Sequence, residues 1–271
     1  MSNTLTGRAG TAPHATSPPR YPVAVDILTA TNLRKSYAGR VVVDNVSFRV
    51  AEGEIVGLLG RNGAGKTTSF RMAMGMIEAE AGKVEFNSRD VTALPMYQRA
   101  RLGMGYLAQE PSIFRRLSAF ANLMAILETR SNLTRAQRAE KADELLAKFS
   151  LSKVKDQLAT SLSGGERRKL EIARALITEP LIMLLDEPFT GVDPIAIEDL
   201  QREVSRLRDS HGIATLITDH NERRILQMCD RVYVIFEGKV FAEGTPAEIV
   251  QNEMVRKLYL GESLKAEEFL R

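Results

Sequence analysis

The hydrophobic positions along the chain change their spacing several times, and each spacing predicts a different element. Val46, Phe48 and Val50 alternate with polar residues, which is typical of a strand with one buried face. Short continuous apolar runs predict strands that are buried on both faces. These runs are Ile55–Leu59, Leu181–Leu185, Ala214–Thr218 and Val232–Phe236, and Glu237-Gly238-Lys239 turns the last of them into a hairpin with Val240, Phe241 and Ala242.

Helical spacing fills the intervals between these runs. It predicts a helix from Thr67 to Ile77, a mainly helical insert over residues 97 to about 160, and a helix that starts at Asp193-Pro194. In the insert, Thr134 and Gln137 form a capping box. Alternation of strands and helices implies an α/β fold in which a largely parallel sheet carries helices on both faces. The predicted buried helix positions are Ala142, Leu145, Leu146 and Phe149 in the insert, and Ile197, Leu200, Val204 and Leu207 after Asp193-Pro194.

A phosphate-binding loop joins the first buried strand to the first of these helices. Its residues are Gly60, Arg61, Asn62, Gly63, Ala64, Gly65, Lys66 and Thr67, which fit the pattern G-x-x-x-x-G-K-[ST], and Thr68 follows within the predicted site. The first N–H groups of a helix lack internal partners, and glycines let the backbone wrap around phosphate oxygens. Lys66 is predicted to reach the outer phosphates, and the Thr67 hydroxyl to bind Mg²⁺. The sequence therefore predicts that the chain binds a nucleoside triphosphate with Mg²⁺.

Two carboxylates follow the apolar run 181–185 directly. A buried parallel strand delivers its last residues to the edge of the sheet where ligands bind. Asp186 is predicted to hold Mg²⁺ through water, and Glu187 to polarise the water that attacks the terminal phosphorus. The alternative is a pair of acids in a loop, which the phosphate loop elsewhere in the chain disfavours.

A second helix start is rich in glycine. Ser163 and Glu166 form a capping box, and Gly164 and Gly165 lie between them. Two adjacent glycines let backbone N–H groups approach an anion, so this segment is a candidate for a second phosphate contact. A plain glycine-rich helix start remains the alternative.

Composition adds few constraints. The 271 residues carry a net charge of +3 in mixed surface charges without a long basic block, so no direct nucleic-acid contact is expected. The single cysteine, Cys229, agrees with a reducing compartment, and no apolar run is long enough for a membrane span. Residues 1–24 are rich in Thr, Ser, Pro and Ala and are predicted to be a disordered tail. We expect a cytoplasmic protein.

The phosphate loop, the segment Leu162–Glu166 and the segment Leu184–Pro188 occur in an order that resembles the ATP-binding cassette (ABC) ATPases, over about residues 27–261. The resemblance implies a P-loop NTPase (RecA-like) core with an antiparallel β subdomain and a helical insert, the whole domain covering residues 25–271. It also implies a head-to-tail homodimer, in which each ATP lies between one phosphate loop and the partner's Ser163–Glu166 helix. Four further positions match family motifs: Tyr37 for adenine stacking, Gln109 for Mg²⁺, Asp193 for the loop that crosses the dimer, and His220 for the terminal phosphate. Packing for Tyr37 and a structural role for His220 remain alternatives.

Within the family, residues 109–127 and 255–262 resemble the ATPases of lipopolysaccharide export. This likeness implies that the region around Phe114, Arg115 and Arg116 contacts two transmembrane permease subunits, and that the chain lies on the cytoplasmic face of the inner membrane. An ordinary core position remains the alternative for Phe114. The sequence departs from the pattern at Arg61, Ala108 and Ala121. The ATPase of a branched-chain amino-acid importer is the nearest alternative, and a soluble family member that acts on nucleic acid or ribosomes is a more distant one.

Overall fold

The computed structural model describes residues 25–260. The predicted tail at 1–24 and the last residues, 261–271, lie outside this range. None of the helices between residues 25 and 260 combines the length and the apolar composition that crossing a bilayer requires. The strands are β1 Asp26–Tyr37, β2 Arg40–Ala51, β3 Ile55–Leu59, β4 Ala81–Phe86, β5 Arg89–Asp90, β6 Met104–Leu107, β7 Ile182–Asp186, β8 Ala214–Thr218, β9 Arg231–Phe236 and β10 Lys239–Gly244.

The helices are α1 Lys66–Met74, α2 Met96–Arg101, α3 Ala119–Leu127, α4 Arg135–Lys148, α5 Gly164–Leu176, α6 Pro194–His211, α7 Glu222–Met228, α8 Pro246–Gln251 and α9 Glu253–Val255. Helices α1 to α7 lie between strands, α8 and α9 follow the last strand, and short 3₁₀ and π-helical turns accompany them. The 3₁₀ turn is Ser152–Val154 and the π-helical turn is Arg256–Leu260.

The strands of the described range form two sheets. The antiparallel sheet has the order β2-β1-β4-β5, and the larger sheet has the order β10-β9-β3-β8-β7-β6. In the larger sheet β9, β3, β8, β7 and β6 are parallel, and only β10 runs antiparallel, as the second strand of the predicted hairpin. This arrangement confirms the predicted α/β fold with its mainly parallel sheet.

The larger sheet is covered on both faces by apolar residues. Alternate residues of β3 belong to different apolar clusters: Ile55 and Leu59 face one cluster, and Val56 and Leu58 face the other. Helix α1 packs in the second cluster, while α5 and α6 pack in the first. A strand that is buried on both faces reads as a continuous apolar run, which explains why β3, β7 and β8 are visible in the sequence.

Strand β6 lies within the range that the sequence predicts as mainly helical. It pairs in parallel with β7, with Met104 opposite Ile182 and Leu107 opposite Leu185, and it forms one edge of the larger sheet. Its four residues are too few to show an alternating apolar pattern, so the sequence gives no strand signal here and the helical spacing on both sides dominated the prediction. Elsewhere in the range, α2, α3, α4 and the 3₁₀ turn alternate with loops, and the capping box of Thr134 and Gln137 is present at the start of α4.

Helix α1 ends three residues earlier than its spacing predicts. Gly75 adopts a left-handed conformation with a φ of 75°, and its N–H donates to carbonyls of the last turn. The buried guanidinium of Arg99 donates to the carbonyls of Met72 and Ala73, at 2.9 and 2.6 Å. Since these partners satisfy the terminal carbonyls, the helix stops at Met74 although the apolar spacing continues to Ile77.

Candidate nucleotide-binding site

The phosphate loop connects the end of β3 to the start of α1, as predicted. Gly60 has a φ of 149° and Gly65 a φ of 104°, a region that favours glycine. A Cβ atom at Gly60 would lie 2.2 Å from the carbonyl oxygen of Ile235, and one at Gly65 would lie 2.7 Å from that of Val42. The loop therefore packs closely against the backbone of β9 and of β2. Both positions require glycine, because of their backbone conformation and because a side chain would clash.

Lys66 begins α1 and folds back over the loop. Its Nζ donates hydrogen bonds to the carbonyls of Gly60 and Arg61, the second at 3.1 Å, and the side chain is 5% exposed. Burial lowers the pKa of the Lys66 ammonium, while the charges of Glu187 and Asp219 act in the opposite direction. A cation held by neutral carbonyls at the positive end of a helix is well placed to gain a phosphate partner.

A cavity of about 660 Å³ borders the loop. Residues of the loop line one side, and residues of β2 and of the β9–β10 turn line the other. Tyr37 lies at the end of β1, is 46% exposed and is near the Lys35 ammonium, but it is not among the lining residues. The lining consists of Arg40, Val41, Val42, Arg61, Asn62, Gly63, Ala64, Phe236, Glu237 and Gly238.

Asp186 ends β7 with a carboxylate that has no hydrogen-bond partner among the described residues. Its side chain is 1% exposed, both oxygens are unpaired, and the nearest cation, Nε of Arg71, is 3.9 Å away. Burial raises the pKa of Asp186, the charge of Arg71 lowers it, and the neighbouring charge of Glu187 raises it further. A buried carboxylate without a partner is costly, so the position suits a residue that gains a cation when ligands bind.

Glu187 is the centre of a polar cluster at the same edge of the sheet. Its Oε2 accepts hydrogen bonds from Nε2 of Gln109 at 3.1 Å and from Oγ1 of Thr190 at 3.2 Å, and Nδ1 of His220 is 3.5 Å away. Glu187 has a φ of 43°, which is uncommon for a residue other than glycine, and its N–H donates to the carbonyl of Thr218. The structure thus brings together three predicted residues that are far apart in the sequence, and it adds Thr190, which sequence reasoning missed.

Asp219 is a second buried acid beside this cluster, and it too was missed. Its Oδ1 accepts a hydrogen bond from the N–H of Asn221 at 2.8 Å, and its Oδ2 is unpaired. Burial raises the pKa of Asp219, and the charge of Glu187 adds to this effect. An acid at the end of the apolar run 214–218 was the available signal, since the same pattern singled out Asp186.

The glycine-rich start of α5 is capped as predicted. Ser163 and Glu166 exchange backbone and side-chain hydrogen bonds in a complete capping box. A Cβ atom at Gly165 would lie 2.5 Å from the Cβ of Ala196, so α5 packs closely against the first turn of α6. Asp193 caps α6 by accepting from the N–H of Ala196 at 3.0 Å. Gly165 therefore has a packing role that the sequence did not reveal.

Helix α5 also holds the segment that contains Gln109. Arg168 donates to the carbonyls of Ala108 and Pro188, at 2.7 and 2.8 Å, and to Oε2 of Glu171 at 2.8 Å. Both side chains of this ion pair are almost fully buried. Arg168 thus connects the residues that flank Gln109 and Glu187, and nothing in the sequence pattern identifies it because its partners are far apart along the chain.

Phe114 lies on the surface, beyond the segment that Arg168 holds. Its ring is 42% exposed and lies under the guanidinium of Arg174, which is 4.5 Å from the ring centroid. Asn122 fixes the backbone, since its side chain accepts from the N–H of Phe114 at 2.8 Å and donates to the carbonyl at 3.0 Å. Arg115 and Arg116 are exposed beside it. The structure presents an aromatic side chain and two cations on one rigid loop.

A strand, a glycine loop and a helix N-terminus, with a buried acid at the end of a neighbouring parallel strand, define a P-loop nucleotide-binding protein. The family described as "ABC transporter" matches residues 43–190. The chain belongs to the ATP-binding cassette family of ABC transporters, and it is an ATP-binding ATPase of that family.

Relatives cover nearly the whole chain. The lipopolysaccharide export system ATP-binding protein LptB of Haemophilus influenzae is 52% identical over 89% of this chain and 100% of that relative. The protein of the same name from Escherichia coli K12 is 52% identical over 88% of this chain and 98% of the relative. Among solved structures, MJ1267, an ATP-binding cassette of an ABC transporter in its ADP conformation, matches with a TM-score of 0.78 and 29% identity, over 88% of this chain and 100% of that one.

A second, shorter family match covers the end of the chain. Residues 239–264 match the family described as "Branched-chain amino acid ATP-binding cassette transporter". This match covers β10, α8, α9 and the π-helical turn, together with residues beyond the described range.

Proposed function

We propose that this chain is the ATP-hydrolysing subunit of a lipopolysaccharide exporter, and that it powers transport through membrane partner subunits. The observation that carries this proposal is the 52% identity to relatives named for lipopolysaccharide export, over almost their full length. The resemblance of residues 109–127 and 255–262 to the same branch supports it.

The phosphate loop binds the triphosphate in this proposal. The backbone N–H groups of the loop, from Gly60 to Gly65, and of Thr67 and Thr68 surround the phosphates, and Lys66 exchanges its carbonyl partners for the outer phosphates. Tyr37 stacks on adenine. Its exposed ring supports this role, and so does its position: only two residues separate it from β2, which lines the cavity.

Mg²⁺ accompanies the triphosphate in the proposed site, held by Thr67, Gln109 and, through water, Asp186. When bound, the ion neutralises charge on the phosphate oxygens. The unpaired buried oxygens of Asp186 fit this role, because a cation removes the cost of leaving them without partners. Among residues 25–260 no group of three or more His, Cys, Asp and Glu is arranged to hold a metal ion, so the remaining ligands in our proposal come from the nucleotide and water.

Glu187 acts as the general base in the proposed reaction. Its carboxylate accepts the proton of the attacking water as the oxygen bonds to the terminal phosphorus and the bond to the β-phosphate oxygen breaks. Gln109 and Thr190 orient the carboxylate through their hydrogen bonds to Oε2, which leaves Oε1 to receive the proton. His220 donates a hydrogen bond to the terminal phosphate, and its ring is half exposed beside Glu187.

A second copy of the chain completes each site in this proposal. The helix N-terminus at Ser163, Gly164, Gly165 and Glu166 contacts the partner's nucleotide, and the loop at Asp193 crosses between the copies. Ile195, two residues after Asp193, is 80% exposed, which is consistent with a surface that another chain covers.

The loop with Phe114, Arg115 and Arg116 contacts two permease subunits in this proposal, and these hold the chain on the cytoplasmic face of the inner membrane. Phe114→Ala should lower recovery of the membrane partners while ATP hydrolysis by the isolated chain stays within about twofold of wild type, because Phe114 lies outside the cluster around Glu187. Phe241→Ala makes the same chemical change at a similarly exposed ring on β10 (37% exposed, against 42% for Phe114) and should leave partner recovery unchanged. Unchanged recovery with Phe114→Ala would contradict this contact.

The domain limits remain proposals: one cassette over 25–271, with a helical subdomain within about 97–160.

The alternative function is the ATPase of a branched-chain amino-acid importer, which the match of residues 239–264 favours. Purification from native membranes with identification of the bound permease subunits decides between the two. Partners that extract lipopolysaccharide from proteoliposomes in an ATP-dependent manner support the proposal. Partners that import amino acids would replace it with the alternative, and co-purification with nucleic acid instead of membrane proteins would contradict both.

A further inference from the structure

Arg71 places a positive charge beside two of the residues that hold Mg²⁺ in the proposed site. It belongs to α1, four residues after Thr67, and residues at this spacing lie on the same face of a helix, about 6 Å apart along its axis. Asp186 ends β7, and its Oδ2 is 3.9 Å from Nε of Arg71. The guanidinium therefore lies next to Asp186 and one helical turn from Thr67.

The contact between Arg71 and Asp186 is an ion pair without a hydrogen bond. A distance of 3.9 Å is too long for a hydrogen bond, and among residues 25–260 neither Nε of Arg71 nor the two carboxylate oxygens of Asp186 have a hydrogen-bond partner. The side chain of Asp186 is 1% exposed, whereas that of Arg71 is 41% exposed. Arg71 thus compensates the buried charge electrostatically, and both carboxylate oxygens stay free to accept a hydrogen bond or to bind a cation.

The packing of α1 keeps Arg71 close to Asp186. Phe70, the preceding residue, is fully buried in the apolar cluster that α1 shares with the larger sheet, and its ring centroid is 6.3 Å from that of Tyr106 on β6. Tyr106 lies opposite Leu184 of β7, two residues before Asp186. Because this part of α1 is fixed against β6 and β7, the guanidinium remains within reach of the carboxylate.

Two cations beside one carboxylate weaken each other's binding. In the proposed site Mg²⁺ is attracted by the charge of Asp186 and repelled by the charge of Arg71, since both effects fall off with distance in the same way. The guanidinium also stabilises Asp186 before the metal ion binds, because a buried carboxylate without a counter-ion is costly. Arg71 therefore acts on both sides of the equilibrium, and both effects reduce the free energy that Mg²⁺ gains from Asp186.

We propose that Arg71 is the counter-ion of Asp186 and limits how tightly the site holds Mg²⁺, because its guanidinium and the metal ion compete for one carboxylate charge. This inference rests on the Mg²⁺ role of Asp186 in the proposed function, and it adds a residue that sets the affinity for the ion. Arg71 acts through Asp186 and is not itself a ligand.

The first test measures how much Mg²⁺ strengthens ATP binding to the full-length protein. Calorimetry in a Glu187→Gln background gives the Kd for ATP in EDTA and in excess Mg²⁺, and the ratio of the two values isolates the contribution of the ion. Arg71→Met should raise this ratio roughly fivefold, the factor for an ion pair at the upper end of the range for partly exposed pairs. Arg71→Lys retains the charge and should stay within about twofold of the parent protein.

Arg135→Met is the matched control for this test. Arg135 is exposed at the start of α4, so the substitution removes the same charge away from the site and should leave the ratio unchanged. An unchanged or smaller ratio in Arg71→Met would overturn the inference, because it would exclude competition for Asp186. A ratio in Arg71→Lys as high as that in Arg71→Met would also overturn it, since the charge would then not be the cause.

The second test measures stability and needs neither nucleotide nor metal. Arg71→Met should lower the melting temperature of the nucleotide-free protein by roughly 2–4 °C, because Asp186 loses its counter-ion. In an Asp186→Asn background, which has no buried charge to compensate, the same substitution should shift the melting temperature by less than about 1 °C. Equal shifts in the two backgrounds would contradict the ion pair.

These measurements separate the inference from the proposed function. If Mg²⁺ does not strengthen ATP binding to the parent protein, the Mg²⁺ role of Asp186 fails and the inference fails with it. If Mg²⁺ strengthens ATP binding and Arg71→Met leaves the ratio unchanged, only the role of Arg71 fails. Co-purification with a different transporter would change the proposed function and leave the role of Arg71 intact.

Discussion

Replacing Glu187 with glutamine isolates the chemical step from nucleotide binding. Glutamine has nearly the same shape, and its amide oxygen can still accept the hydrogen bonds from Gln109 and Thr190, which are 3.1 and 3.2 Å long in the structure. The amide cannot accept the proton of the attacking water. We therefore expect the site to keep its geometry and to lose its base.

The size of the effect follows from the role of the carboxylate. A positioned general base contributes about 10²- to 10⁴-fold to a rate, or roughly 3–5 kcal/mol in the barrier. ATP affinity should stay the same or increase, because the variant removes a negative charge that lies beside Asp186 and Asp219 and would face the phosphates. Lys66 loses one attractive charge but retains its carbonyl partners.

Phosphate release at saturating ATP measures turnover, and calorimetry measures binding. Glu187→Gln should bind ATP within about threefold of wild type while turnover falls at least roughly 100-fold. Glu198 is exposed on α6, so Glu198→Gln makes the same chemical change away from the cluster and should change neither turnover nor ATP affinity. Turnover of Glu187→Gln within a few fold of wild type would refute the assignment of the base, and loss of ATP binding would refute the reasoning about geometry.

Further substitutions test the loop and its supports. Lys66→Ala should weaken ATP binding roughly 100-fold, because a charged phosphate partner is lost, and calorimetry that shows unchanged affinity would contradict this role. Gly165→Ala should lower the free energy of unfolding by about 1–3 kcal/mol and reduce ATP hydrolysis, because the new methyl group would lie 2.5 Å from the Cβ of Ala196 and must displace it. Denaturant unfolding measures the first effect, and phosphate release measures the second. Arg99→Met should lower the free energy of unfolding by about 3 kcal/mol, because buried carbonyls including that of Met72 lose a charged donor, and a change below about 0.5 kcal/mol would exclude this support.

The clearest sequence predictions concern residues that are consecutive along the chain. The strand Ile55–Leu59 has the predicted bounds, and the loop from Gly60 and the helix from Lys66 follow it directly. The capping boxes at Thr134 and Ser163 are also present where they were predicted. Such features depend on local hydrogen bonds and on the period of apolar residues, so the order of residues specifies them.

Short elements and helix ends were harder to predict from the sequence. Strand β6 has four residues and belongs to the sheet only because it pairs with β7, so its own sequence gives little signal. Helix α1 stops at Met74 because Arg99, from a later helix, satisfies its last carbonyls. In both cases the deciding partner is distant along the chain.

The sequence by itself determined the type of site: a phosphate loop at a helix N-terminus, with two acids at the end of a buried strand. Only the tertiary structure decided which side chains complete it. It brings Thr190 to Glu187, and it connects Arg168 to the segments on both sides of the cluster. Hydrogen bonds of this kind join residues that the sheet and its packed helices bring together, and no spacing along the chain encodes them.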